Sequence, residues 1–190
     1  MSKYISILRG INVGGNRKVP MADLKVAYQT ADFQNVQTYI QSGNVVFDSE
    51  ETNKRIIEAK IQEIIAETFG FNDIPVIVRS SEEWAESIAN NPFLKEENVD
   101  IERLHLTCLK ELPSPELLEK IKTFQYLQVR QAHCEPDRYE IIGKDVFIFC
   151  AAGYGKTKLT NSFFESKLKV QATTRNWKTV MQLNEMVKLM

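Results

Sequence analysis

The order of apolar and polar positions divides the chain into short segments of two periodicities. Tyr4-Ile5-Ser6-Ile7-Leu8 reads as a strand that empties into the polar, glycine-bearing stretch 11–18. Pro20 suits a first helical turn, and Met21, Leu24, Ala27, Tyr28 and Ala31 recur at helical spacing, which predicts a helix to about residue 32. Val36, Thr38 and Ile40 alternate with Gln37, Tyr39 and Gln41, and Asn44-Val45-Val46-Phe47 follows Ser42-Gly43, the pattern of a hairpin with a tight turn. Ile57, Ile61, Ile64, Ile65 and Phe69 mark a second helix ending near Gly70, and residues 74–79 predict a fourth strand.

Strand, helix, strand, strand, helix, strand is the split βαβ arrangement of ferredoxin-like domains. In it the first two strands run parallel, with the third between them and antiparallel to both. The loop leaving the first strand and the turn joining the second and third then share one edge of the sheet. Asn12, Gly14, Gly15, Asn16, Arg17 and Lys18 are therefore expected to face Gln41, Ser42 and Asn44 across one rim.

The second half is less regular. A helix at 81–89, the Asn91-Pro92-Phe93 break and the acidic stretch 95–102 read as a linker. Then follow a strand at 103–109, a helix at 114–124, strands near 127–133 and 139–142, and a Gly143-Lys144 turn into a strand at 146–150. A helix at 158–168, a short strand at 170–173 and a closing helix at 177–188 complete the reading. The expected class is α+β, with two compact α/β-sandwich units. These are a ferredoxin-like domain (1–80), a helix and linker (81–102), and a related α+β domain (103–190) with an extra C-terminal helix. No short internal repeat is visible.

Composition narrows the class. The chain has 190 residues, 43% of them hydrophobic and 26% charged, which argues against disorder, collagen and a disulfide scaffold. The longest apolar run, 146–152, is far short of the roughly 20 residues that span a bilayer. No secretory signal opens the chain, so a cytoplasmic protein without membrane contact is expected. Cys108, Cys134 and Cys150 form no C-x-x-C pair and read as reduced thiols on buried strands.

Charge is unevenly placed. Residues 1–48 carry five basic against three acidic side chains, and residues 150–190 carry seven against two. The middle holds 12 basic and 20 acidic residues, within a net charge of -1. Basic ends around an acidic middle suggest an anionic partner met by both ends, with scattered solvated charge as the plainer account.

Three stretches carry candidate chemistry. In residues 9–18, glycines let backbone N–H groups turn toward one point, a helix start follows, and Arg9, Arg17 and Lys18 add charge, the ingredients of a phosphate or carboxylate cradle. The order lacks G-x-G-x-x-G, so this is no dinucleotide fingerprint. Residues 146–157 imitate a P-loop, but Cys150 sits where the first glycine belongs; a weaker anion loop using Lys156, Thr157 and Lys158 is the alternative to a plain glycine turn. Thr173-Thr174-Arg175-Asn176-Trp177-Lys178 offers Arg175 and Asn176 to an anion, although Thr174 or Asn176 also suits a helix cap and Trp177 a core plug. His105 and His133 are the only histidines, and neither shares a strand face with its neighbouring cysteine, so no metal site is expected from one strand. No G-x-S-x-G elbow exists, and no catalytic residue or cofactor is assigned.

Leu8-Arg9-Gly10-Ile11-Asn12-Val13-Gly14-Gly15, Tyr39-Ile40-Gln41-Ser42-Gly43-Asn44, Lys158-Leu159-Thr160 and Thr173-Thr174-Arg175-Asn176-Trp177, with Asn91-Pro92-Phe93 between them, closely resemble the bacterial domain-of-unknown-function family 1697 over nearly the whole chain. The resemblance implies a compact α+β protein and carries over no reaction. Thr157 stands where the family pattern has serine; either hydroxyl donates to an anion. The leading expectation is a phosphorylated or carboxylated small molecule held between the Gly-rich loop and the basic C-terminal segment. A nucleic-acid-binding module is the second class, disfavoured by a pI near 6.2 and the lack of an aromatic run on a strand. A structural or partner-binding protein without catalysis is the third.

Overall fold

A computed structural model describes residues 1–129 and 137–190. They divide into two compact units, 1–88 with 181–190, and 89–180. Each unit is built around one four-stranded antiparallel sheet.

In the first unit, β1 (Ser2–Leu8), α1 (Met21–Thr30), β2 (Gln34–Tyr39), β3 (Asn44–Ser49), α2 (Lys54–Phe69) and β4 (Val76–Ser80) follow in order. The strand order β2-β3-β1-β4 is the ferredoxin-like one, with β3 antiparallel to both β1 and β2 as the sequence pattern requires. Alternation along the strands sorts the side chains. Tyr4, Leu8, Val45, Phe47, Val76 and Val78 face the helices and pack with Leu24 and Tyr28 of α1 and Ile57, Ile61 and Ile65 of α2. Tyr4, Tyr28 and Phe33 surround Phe47, with ring centroids 5.8, 5.6 and 4.7 Å from it. Ser6, the polar residue in this row, gives its hydroxyl to a 2.9 Å bond with the Tyr28 phenol. The alternate row, Ile5, Ile7, Val46 and Ile77, is also fully buried. α3 (Ser81–Ala89) follows β4 and buries Trp84.

The second unit repeats this plan. β5 (Leu104–Leu109), α4 (Pro115–Val129), β6 (Arg138–Ile142), β7 (Asp145–Phe149), α5 (Asn161–Leu168) and β8 (Ala172–Asn176) give the order β6-β7-β5-β8, and in the chain α6 (Trp177–Leu189) follows β8 as α3 follows β4, its residues from 181 on being counted with the first unit. Its helix-side core gathers Leu109, Val146, Ile148, Ala172, Ile121, Leu159, Phe164 and Leu168. The sequence reading recognised a related unit without seeing that the strand order is the same. Both units even protect the same edge alike. The Val78 N–H of edge strand β4 donates to Glu58 of α2 at 3.0 Å, and the Ala172 N–H of edge strand β8 donates to Glu165 of α5 at 3.0 Å. Glu58 is buried, so Glu58→Ala leaves an interior N–H without this acceptor. The expected loss is about 1–3 kcal/mol of unfolding free energy, measured by urea titration.

Three boundaries depart from expectation. The strand near 127–133 is replaced, as far as Val129, by the end of α4, because no glycine or proline interrupts the chain between Pro115 and that point. Residues 130–133 of that expectation lie outside the described residues, as do His133 and Cys134. α5 starts at Asn161 rather than 158, since the Thr160 side chain accepts the Phe163 N–H and caps it there. The short strand at 170–173 is instead β8, displaced because Lys169 ends α5 in a left-handed conformation and the polar run 173–176 pairs with β5.

Candidate functional site

The rim expected from topology exists in the first unit. The Leu8 N–H donates to the Gly43 carbonyl at 2.8 Å, and the Asn12 amide donates to the Gln41 carbonyl at 2.9 Å, so the loop after β1 and the β2–β3 turn are tied together. Residues 12–17 form a miniature hairpin. Val13 and Asn16 pair, and Gly14 and Gly15 occupy its tip with φ of 58° and 79°, the signature of a type I′ turn. This loop is therefore a fixed projection.

Its polar groups are partly committed. The Asn12 amide also donates to the Val19 carbonyl at 2.8 Å and its oxygen accepts the Val19 N–H at 2.8 Å, which fixes the approach to α1. Arg17 forms an ion pair with Asp73. Buried Asn44 donates to the Tyr39 carbonyl at 3.0 Å and the Ser42 hydroxyl at 2.9 Å. Asn16, Lys18 and Gln41 are exposed, and Arg9 is half-buried. Ile40 sits in the turn at φ 48°, a left-handed conformation that a β-branched side chain resists.

The C-terminal candidates belong to the second unit. β7 and β8 both run antiparallel to β5, so the ends of β7 and β8 and the start of β5 share one end of the sheet. Gly153 opens a short 3₁₀ turn, Tyr154–Lys156, after β7. The Tyr154 ring stacks on His105 at 4.7 Å, and the His105 Nδ1 lies 3.1 Å from the Arg103 carbonyl, which places the ring proton on Nδ1. Burial holds His105 below its ordinary pKa, so it is neutral at pH 7. Lys156 and Lys158 are exposed, while the Thr157 hydroxyl accepts the Leu159 N–H at 3.0 Å.

Arg175 lies on the face opposite His105, in register with Leu106, and is only 9% exposed. Its guanidinium donates to the Thr174 carbonyl at 2.9 Å. Burial lowers its pKa to about 10, opposed by the Cys108 thiol and Tyr154 phenol. Asn176 accepts the Thr179 N–H at 2.8 Å and so caps α6, and Trp177 is buried, the structural account for both. The sequence reading missed a hydroxyl chain behind this sheet end: Thr107 and Thr174 are 2.6 Å apart, and Thr174 donates to Asn161 at 2.6 Å. Its signal was weak, since the three residues are far apart in sequence.

Cys150 and Tyr139 are held in their neutral forms at neutral pH. Burial, helped by Asp137, pushes the Cys150 thiol up to about 11, and burial pushes the Tyr139 phenol up to about 12. Both stay neutral in the folded chain where the unfolded chain ionises. The stability they contribute is whole below the unfolded values, near 8.5 and 10, and is lost as pH climbs toward 11 and 12. Thermal melting is expected to fall above pH 9, at up to about 1.4 kcal/mol per pH unit for each group, and Cys150→Ala is expected to flatten the first part of that decline.

Among the described residues, no group of three or more histidine, cysteine or acidic side chains is placed to hold a metal ion, and no helix is long and apolar enough to cross a membrane. A conserved bacterial protein from Streptococcus pneumoniae has a similar structure, with a TM-score of 0.69 and 25% sequence identity over 98% of each chain. Comparison with curated proteins gives no match. A family model described as protein of unknown function (DUF1697) matches residues 1–147, and with both ferredoxin-like units now in view the chain belongs to that family.

Proposed function

We propose that this protein binds a phosphorylated or carboxylated small molecule at the sheet end of the second unit where the β7–α5 loop and the end of β8 lie together. Arg175 carries the reading. It is a near-buried guanidinium at the same sheet end as the exposed ammonium groups of Lys156 and Lys158. A planar guanidinium offers parallel N–H donors that match the oxygens of a phosphate or carboxylate. Tyr154, stacked on His105, supplies a phenol for orientation. The glycine hairpin of the first unit is the weaker location, because Asn12, Asn44 and Arg17 already serve internal contacts.

A nucleic-acid reading has less support. Ferredoxin-like sheets stack bases on an open face, and here Ile5, Ile7, Val46 and Ile77 on that face are buried.

The test is a thermal-shift titration with pyrophosphate and citrate at constant ionic strength. A ligand at 100 times its dissociation constant is expected to add about 2.7 kcal/mol. The Lys156→Ala/Lys158→Ala variant is expected to lose most of the shift, and Lys18→Ala to keep it. No shift with either anion, or a shift unchanged in the double variant, overturns the proposal.

A further inference from the structure

Four acidic residues of the middle stretch, Glu50, Glu51, Glu63 and Glu67, line hollows of the first unit together with Asp23 and Asp32. α1 and α2 pack side by side on one face of their sheet, and a trough of about 550 Å³ runs between their outer flanks. Its lining is mixed: Val26 on α1 and Ile64 on α2 are aliphatic, and Asp23, Asp32, Glu63 and Glu67 are acidic. A second hollow of about 440 Å³ shares Asp32 and Lys60 with the first and extends it past Ile56 to Glu50 and Glu51. Six carboxylates thus line the joined trough, together with Lys60, whose ammonium lies over the Phe33 ring at 5.2 Å.

We infer that this trough docks a basic amphipathic helix from a partner protein. Two observations select that occupant. Val26 is 59% exposed and Ile56 is 50% exposed, although each sits beside buried neighbours of its own helix. A polyamine or metal cation satisfies the carboxylates and leaves these aliphatic groups in water, whereas the apolar stripe of a helix covers them. The carboxylates in turn select lysine or arginine on the flanks of that stripe and repel nucleic acid and acidic segments. The length agrees. From Ile56 to Glu67 the α2 side of the trough spans about 16 Å, which is three turns of a docked helix. The inference concerns the first unit and stands apart from the anion site proposed for the second.

Fluorescence anisotropy with the full chain tests it. The probe is a labelled 14-residue leucine–lysine peptide in amphipathic helical register, compared with the same composition in scrambled order and with spermine as competitor. The register-correct peptide is expected to bind at least tenfold more tightly than the scrambled one in 100 mM salt. Glu63→Lys/Glu67→Lys is expected to weaken it tenfold or more, and Asp23→Lys on the opposite wall to weaken it by a smaller factor. Val26→Ser/Ile56→Ser reads the aliphatic part of the lining and is expected to cost about tenfold. All five side chains are exposed, so circular dichroism and melting should match the parent protein. Equal binding of scrambled and ordered peptides overturns the inference. So does indifference to the charge reversals, or loss of the peptide to spermine with no effect of the serine pair, which would make the trough a cation site. A dimer of this chain that dissociates on Glu63→Lys/Glu67→Lys would assign the trough to a second copy and equally overturn it.

Discussion

Gly43→Ala is expected to lower the unfolding free energy by about 2–4 kcal/mol, seen as a shift of the urea midpoint at unchanged slope. Two costs combine. Gly43 has φ 74°, a left-handed conformation that costs an alanine about 1–2 kcal/mol. The added methyl carbon would also stand 2.8 Å from the Leu8 Cβ and 2.7 Å from the Ile11 Cδ1. The isoleucine tip can swing aside, but the Leu8 Cβ is fixed to β1, and β1 is bonded to Gly43 itself through the Leu8 N–H. Gly14→Ala separates the two costs. Its φ of 58° is equally left-handed, yet nothing lies within 4 Å of the added carbon, so only the conformational cost of about 1 kcal/mol is expected. Equal losses in the two variants would refute the close-approach argument.

Phe47→Ala is expected to cost about 3–5 kcal/mol of unfolding free energy. Phe47 is fully buried at the middle of β3 and is the one ring that touches Tyr4, Tyr28 and Phe33 together. Removing it leaves a cavity whose walls belong to β1, α1 and the α1–β2 connection, elements that cannot all move inward at once. Phe47→Leu, which keeps most of the volume, is expected to recover more than half of the loss. A calorimetric loss below about 1 kcal/mol for the alanine variant would mean that the aromatic cluster is not a packed core.

The first unit was legible because its sequence carries plain helix and strand signals. Ile57, Ile61, Ile64 and Ile65 of α2 fall at helical spacing, β2 alternates, and β1, β3 and β4 are short apolar runs, broken in β1 where Ser6 meets Tyr28. From those signals the strand order, and hence the meeting of residues 12–18 with the β2–β3 turn, followed by geometry. What lies inside that rim did not follow. Asn12 and Arg17 have the residue types of ligand contacts, but their partners, Val19, Gln41 and Asp73, are settled by three-dimensional proximity that spacing does not encode.

The second unit was harder for a definite reason. β8 is Ala-Thr-Thr-Arg-Asn, a polar string with no strand-like composition, held in place by pairing with β5 and by a hydroxyl chain rather than by a hydrophobic run. For Asn176 the sequence left an anion contact and a helix cap open, with Thr174 as a rival cap, and favoured a core plug for Trp177; Asn176 accepts the Thr179 N–H and Trp177 is buried. The acidic trough escaped because its walls come from α1, α2 and two connections, each unremarkable alone.

A polypeptide that encodes the same strand order twice faces a problem of self-recognition as it emerges and collapses: β1 has the same two neighbours in its sheet as β5 has in the other, so each could zip onto the wrong copy. The interior residues discriminate. Phe47, set among Tyr4, Tyr28 and Phe33, has no counterpart at β7, where Val146 and Ile148 face the helices, so a crossed sheet would be overfilled on one side and hollow on the other. Glu58 and Glu165, by occupying the outer rungs of β4 and β8, blunt the remaining route by which one copy could template the other. Divergence between the two cores thus acts as a proofreading device for chain topology.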